Sequence, residues 1–304
     1  ADLTALQTAV AAIEDDYLVS SDISGFATES WVSGQGYATQ SWVTGQGYST
    51  DSVDANLQDL AGYVMVDTST NEIVFEGANV LIQSGSGYTD DDYANTGAYY
   101  GLGNLIIGYN ADSSDTRTGS HNLVIGDYHS YTSYGGVVFG YNNDITAAYA
   151  TVTGGRSNSA SGSYSTISGG RSSDASGDYS AVSGGYSGEA SGSYSAVNGG
   201  YGGLASGSYS AISGGYANDA LDTAAVVVGG YGNTASEAYG VVLGGALNTA
   251  SDYYSVTVGG IYNDASEQLS VVVGGYDNTA DDYYSVVCGG SSESTSSTYD
   301  VICN

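Results

Sequence analysis

Cys288 and Cys303 are the only thiols in the 304-residue chain, and they stand 15 residues apart. Oxidation joins such a pair if the fold brings the two Cα atoms within about 4.4–6.8 Å. His121 and His129 flank Asp127 in "HNLVIGDYH". Imidazole and carboxylate suit zinc or copper, although two histidines in a loop-rich segment are ordinarily surface residues. "YTDDDY" (88–93) offers carboxylates to Ca2+. It has neither EF-hand spacing nor the Gly-Gly-x-Gly-x-Asp phrase of calcium-binding solenoids, so a solvated acidic loop is the expectation. No serine is joined to a histidine and a carboxylate in a hydrolase motif. The Gly-Gly pairs have no strand-to-helix context that would make them phosphate cradles. The chemistry-bearing residues therefore point to a disulfide, to no enzyme and to no cofactor, with Ca2+ at the acidic loop as the one candidate ligand.

Whether the cysteines meet depends on the elements that carry them, and these repeat. Gly-Gly pairs begin at Gly154, Gly169, Gly184, Gly199, Gly214, Gly229, Gly244, Gly259, Gly274 and Gly289, each 15 residues after the last. An aliphatic ladder keeps the same beat: Val152, Ile167, Val182, Val197, Ile212, Val227, Val242, Val272, Val287 and Ile302, broken only by Thr257. Ala160 and its copies to Ala280 make a second ladder, and tyrosines from Tyr134 to Tyr299 a third. Each unit splits into two halves: a small apolar residue, a turn with glycine, then a polar segment. Glycine at this density opposes a helix, and the spacing lacks the helical three-and-four pattern. Two short strands per unit, joined by glycine turns, fit instead. The predicted fold is mainly β, a parallel β-solenoid or β-roll of 15-residue coils. At about 4.8 Å per coil, about eleven coils would make a rod on the order of 50 Å long. The aliphatic ladder is the expected core, facing a thin layer of alanines. Cys288 and Cys303, at one phase of the repeat, would then lie on adjacent rungs about 4.8 Å apart. A bridge there would fasten the final coil and contribute about 3 kcal/mol in the loop-entropy account. It also implies an oxidising, extracellular setting.

The outer flanks of the aliphatic ladder change along the chain. Early flanks are small or polar, as in Thr151, Thr153, Thr166 and Ser168; later ones are Val226, Val228, Val241, Leu243, Val256, Val258, Val271 and Val273. An apolar stripe over several rungs is too large to leave in water, so it is read as an interface with another copy of the chain, the alternative being a covering segment of the same chain. At the amino terminus Leu3, Leu6, Val10, Ile13 and Tyr17 follow 3-4-3-4 spacing, the seam of a short coiled coil that needs support from an assembly. The organisation read from these patterns is an amphipathic helix over 1–18, then a region over 19–62. That region holds the duplicate "ATESWVSGQGY" and "ATQSWVTGQGY", each either a short helix or a strand and turn, and a short helix over 51–62. β-Strands and the acidic loop occupy 63–100, an irregular start of the solenoid 101–150, and the regular solenoid 151–304.

Three basic residues stand against 33 acidic ones, a formal charge of −30. Such a chain repels phosphate, which excludes nucleic acid and anionic membrane surfaces as partners. No apolar run is long enough to span a membrane. The first residue is Ala1, and the expectation is a mature, secreted or cell-surface protein freed of its signal peptide.

The phrase "YSAVSGG…ASGSYSAVNGG", with Val182, Gly184, Ala190, Gly192 and their copies, resembles the head repeats of trimeric autotransporter adhesins over roughly residues 100–304. "ATQSWVTGQGY" and the heptads are similar to segments of phage tail fibres. The resemblance implies a left-handed parallel β-roll in which three chains associate. The repeat here is longer than is usual in that family, and no membrane-anchor barrel follows it, which points to a fragment, a fibre part or a secreted subunit. The leading functional expectation is a structural subunit that self-associates, as a trimer or a head-to-tail fibre. The alternative is an adhesin head or fibre tip that binds glycans through its tyrosine rows. A third, ice binding by a flat hydroxyl face, conflicts with the bulky tyrosines.

Overall fold

The computed structural model describes residues 60, 63–91, 101–110 and 114–304. The coiled-coil residues Leu3, Leu6, Val10, Ile13 and Tyr17, the 11-residue duplicate and almost all of the 51–62 segment lie outside the described residues. The chain divides into two units, Ala1–Leu81 and Ile82–Asn304. In the first, Val64–Asp67 pairs antiparallel with Glu72–Phe75. Asp67 Oδ1 closes the turn by accepting hydrogen bonds from the Ser69 backbone N–H (2.8 Å) and hydroxyl (2.6 Å). These bonds hold the Asp67 carboxyl below its ordinary pKa. The second strand stops at Phe75, short of the apolar run that continues to Ile82, because Gly77 takes a left-handed conformation.

The second unit is a parallel β-solenoid of about 13 coils. One face is a 14-stranded parallel sheet, the other an 11-stranded parallel sheet, and the chain alternates between them. Register is strict. Thr166 and Ile167 pair with Thr151 and Val152 below and with Ala181 and Val182 above. Asp174 and Ala175 pair likewise with Ser159, Ala160, Glu189 and Ala190. Most strands in the regular region are two residues long. The second of each pair points inward: Val152, Ile167, Val182, Val197, Ile212, Val227, Val242, Val272 and Val287 are buried, facing buried Ala160 to Ala280. Thr257 is accommodated among them by donating its hydroxyl to the Thr249 carbonyl at 2.6 Å. Ile302, on the last described coil, is only half-buried.

An interior asparagine column holds the corner between the two sheets. In Asn233 the backbone N–H donates to Asn218 Oδ1 (3.0 Å), and Oδ1 accepts from Asn248 N–H (3.0 Å). Its Nδ2 donates to the carbonyls of Gly229 (3.0 Å) and Gly245 (3.2 Å). Asn158, Asn248, Asn263 and Asn278 repeat these bonds, with Ser173 and Glu293 N–H as the donors to Asn158 and Asn278 Oδ1; Asn143 and Asn218 keep the side-chain bonds, and Asn143 N–H donates to His129 Nδ1. Both side-chain N–H donors and the side-chain oxygen are thus engaged, one donor within the coil and the other groups along the solenoid axis, which offsets much of the cost of burying the amide. Ser173, Gly188 and Gly203 occupy the column in the middle coils.

Outside the glycine pair, each regular coil carries two residues at positive φ. One is in the Tyr164 column and one in the Ser172 column. The glycine pair has a division of labour. Gly200 has φ +88, and a Cβ there would overlap the Gly215 carbonyl oxygen of the next rung. Gly199 has φ +139 but open space around it. Gly200→Ala therefore combines conformational strain with a backbone clash, whereas Gly199→Ala incurs strain alone. In urea denaturation, Gly199→Ala should cost about 1 kcal/mol and Gly200→Ala clearly more, about 3 kcal/mol or above. Equal costs would contradict the assigned rung contact.

Candidate interaction surface

The described residues offer no group of three or more His, Cys, Asp or Glu placed to hold a metal ion. The sequence candidates are engaged in structural bonds. His129 is fully buried. Its Nδ1 lies 3.2 Å from the Asn143 backbone N–H, and its Nε2 lies 3.2 Å from the Ile125 carbonyl. The neutral tautomer with the proton on Nε2 satisfies both, so the imidazole does in its coil what asparagine does in the coils above. His121 Nε2 accepts from Ser84 N–H (3.2 Å), and its Nδ1 lies 2.9 Å from the Thr89 carbonyl. Asp91, within the acidic loop, is buried and accepts hydroxyl hydrogen bonds from Ser84 and, at 2.7 Å, from Ser120. Cys288 and Cys303 pair on adjacent rungs and form a disulfide, with Cα atoms 4.4 Å apart. Strand register alone dictates that proximity.

What remains is an exterior of columns, because each outward residue stacks on its copy one rung away. Tyr149, Tyr164, Tyr179, Tyr194 and Tyr209 stack with ring centroids 4.9–5.0 Å apart; from Tyr164 to Tyr209 the planes lie within 3° of parallel. Tyr186, Tyr201, Tyr216 and Tyr231 form a second column at 4.7–5.1 Å. Below it Arg156 lies over Tyr141, and Arg171 lies against Tyr186. Within a column each ring face is covered by the next ring, so the tyrosines present edges and hydroxyls to solvent. A sugar needs an open aromatic face to stack on, and within these two columns the terminal rings supply it.

On the 14-stranded sheet the predicted apolar flanks do face outward. Val228, Leu243 and Val273 are each more than two-fifths exposed. Val226, Val241, Val256, Val258 and Val271 are half-buried beside them. The three-residue strands begin in this region, at Val241–Leu243, Val256–Val258, Val271–Val273 and Val286–Cys288. β-Branched residues on both faces favour the extended backbone there. The earlier coils carry Thr153, Ser168, Ser183 and Ser213 at the same outward position and pair over two residues.

On the other sheet the outward position holds Asp174, Asp219 and Asp264. Burial between neighbouring rungs raises all three pKa values, and the adjacent Glu189 charge raises Asp174 further. The Ser251 hydroxyl partly offsets the effect at Asp264. A carboxyl raised on folding stabilises the fold fully below its unfolded value, near 3.8, and that contribution is lost as pH rises through the folded value. Asp174→Asn/Asp219→Asn/Asp264→Asn should therefore melt higher than the parent chain at pH 7, with the gap closing as pH falls below 4. An unchanged gap across that range, or a lower Tm at pH 7, would contradict the assignment. Sequence patterning pointed to neither the asparagine column nor the arginine pair. The signal was present in asparagines two positions before six of the nine ladder alanines and in two arginines 15 apart.

The chain matches no known protein-family description, and no curated protein is similar to it.

Proposed function

We propose that this chain is a secreted structural subunit that associates with copies of itself, as a trimer or a longer extracellular fibre. The observation that carries the reading is the outward apolar stripe from Val226 to Val273. It runs along one sheet on successive rungs, while the coils from Thr151 to Ser213 carry only Thr, Ser, Ala or Asn at the same positions. Aligned valines at a fixed rung spacing match a second solenoid of the same spacing. The disulfide on the last coil supports an oxidising setting. The repeat phrase supports kinship with the β-rolls of trimeric autotransporter adhesins, and the heptad residues near the amino terminus supply a second contact. The covered ring faces of the tyrosine columns weigh against the alternative, a glycan-binding head.

The early coils provide the test, because they show which residues the outward position tolerates. In Val228→Ser/Leu243→Ser/Val258→Ser/Val273→Ser the fold should persist, with parallel-sheet circular dichroism retained. Sedimentation velocity and electron microscopy should then find trimers or fibres for the parent chain and predominantly monomers for the variant. A parent chain that stays monomeric at all concentrations would overturn the proposal, as would a variant that assembles equally well.

A further inference from the structure

The charge on this solenoid is segregated along its axis. From Ile145 to Ser173 there is no Asp or Glu, and this stretch holds two of the three arginines in the chain. Arg156 and Arg171 occupy adjacent rungs of one column. Both are exposed. Among the described residues, the one ion pair joins Arg117 to Asp115, and no carboxylate lies within 4.0 Å of Arg156 or Arg171. Two like charges about one strand spacing apart repel each other, and contact with Tyr141 and Tyr186 offsets this only in part.

The opposite arrangement lies further along. Asp222, Glu237, Asp252, Glu267 and Asp282 recur every 15 residues. The register that pairs Val226, Val241, Val256, Val271 and Val286 places them on five successive rungs. They replace Gly162, Gly177, Gly192 and Gly207 of the earlier coils. All five are at least partly exposed. The arginines sit in the turn that leaves the 14-stranded sheet, and these carboxylates in the turn that returns to it. Within one chain, the two columns occupy different corners and different rungs.

We propose that the Arg156–Arg171 pair is a docking point for the Asp222–Asp282 carboxylate column of a second copy, and that this contact sets an axial stagger between copies. The inference rests on the self-association reading and deepens it. Both columns have the rung spacing of the same sheet, so two guanidinium groups meet two carboxylates without adjustment, and Arg suits carboxylate as a planar fork. For parallel copies, Arg156 faces Asp222 when the partner is displaced by four rungs, since position 162 is the equivalent of Asp222 and (222 − 162)/15 = 4. The same count gives seven rungs for Arg156 opposite Glu267. The displacement is thus about 19–34 Å at about 4.8 Å per rung. In-register copies would offer this corner a lone carboxylate, Asp178. A corner-to-opposite-corner contact with an axial displacement is heterologous, so it propagates into a filament.

The test exploits the sign of the net charge. In a chain of −30, neutralising acids lowers general repulsion and should favour association. The inference predicts the reverse for Glu237→Gln/Asp252→Asn/Glu267→Gln, because each permitted stagger uses at least one of these residues. Sedimentation velocity at low and high salt, on the full chain with folding checked by circular dichroism, should show association weakened about tenfold or more in this variant and in Arg156→Gln/Arg171→Gln. Salt dependence should fall in both. Mixing Arg156→Glu/Arg171→Glu with Glu237→Arg/Asp252→Arg/Glu267→Arg should restore assembly. If the parent chain assembles and the neutralised variants assemble as well or better, the docking point is wrong while self-association stands. A monomeric parent chain would remove both readings. Arginine-dependent capture of a monomeric parent chain on dextran sulfate would assign the pair to an anionic polymer and overturn the inference.

Discussion

The hydrogen bonds from each coil to the coils above and below constrain everything else in this solenoid. A two-residue strand has almost no stability by itself. Here each one is held on both sides by copies in the same register, as Thr166 and Ile167 are. The backbone bonds run along the axis, and the asparagine column adds side-chain bonds in the same direction. Once the register is fixed at 15 residues, every side chain must tolerate its copy about one strand spacing away. Valine on valine, tyrosine on tyrosine and amide on amide all meet that condition. It also explains the second glycine of each pair, where the next rung leaves no room for a Cβ.

The same constraint makes the exterior a set of columns, each with one chemical character over several rungs. Stacking turns a tyrosine into part of a ridge rather than an isolated ring. It also turns isolated carboxylates into a charged rail, and partial burial between rungs pushes Asp174, Asp219 and Asp264 towards their neutral forms. Columns suit contacts with objects of matching spacing, and a second copy of the chain is the nearest such object. The proposed self-association and the proposed stagger both follow from that geometry. The valine stripe would supply apolar burial, and the arginine pair would select which rungs face each other.

Much of the fold was legible because repetition amplifies weak signals. A single Val-Ser-Gly-Gly says little, but ten copies at one interval fix the period, the inward ladder and the adjacency of Cys288 and Cys303. The asparagine column was harder to read because its meaning depends on three carbonyl and amide partners from other coils, and because Ser173, Gly188 and Gly203 interrupt it. His129 was still less legible. In the sequence it suggests a metal ligand near Asp127, and only its bonds to Asn143 and Ile125 reveal it as the asparagine equivalent of an irregular coil.

Coils are stabilised rung by rung, and the asparagine column couples each to its neighbours. Native-state hydrogen exchange of Asn248→Ala, read residue by residue, measures that coupling. Asn263 N–H loses its acceptor in that variant, and the Gly244 and Gly260 carbonyls lose a donor. Exchange should be faster by about tenfold or more at Asn263 and on the adjoining rungs, fading within a few coils in either direction. Unchanged protection at Asn263, or a uniform loss across the whole solenoid, would contradict it.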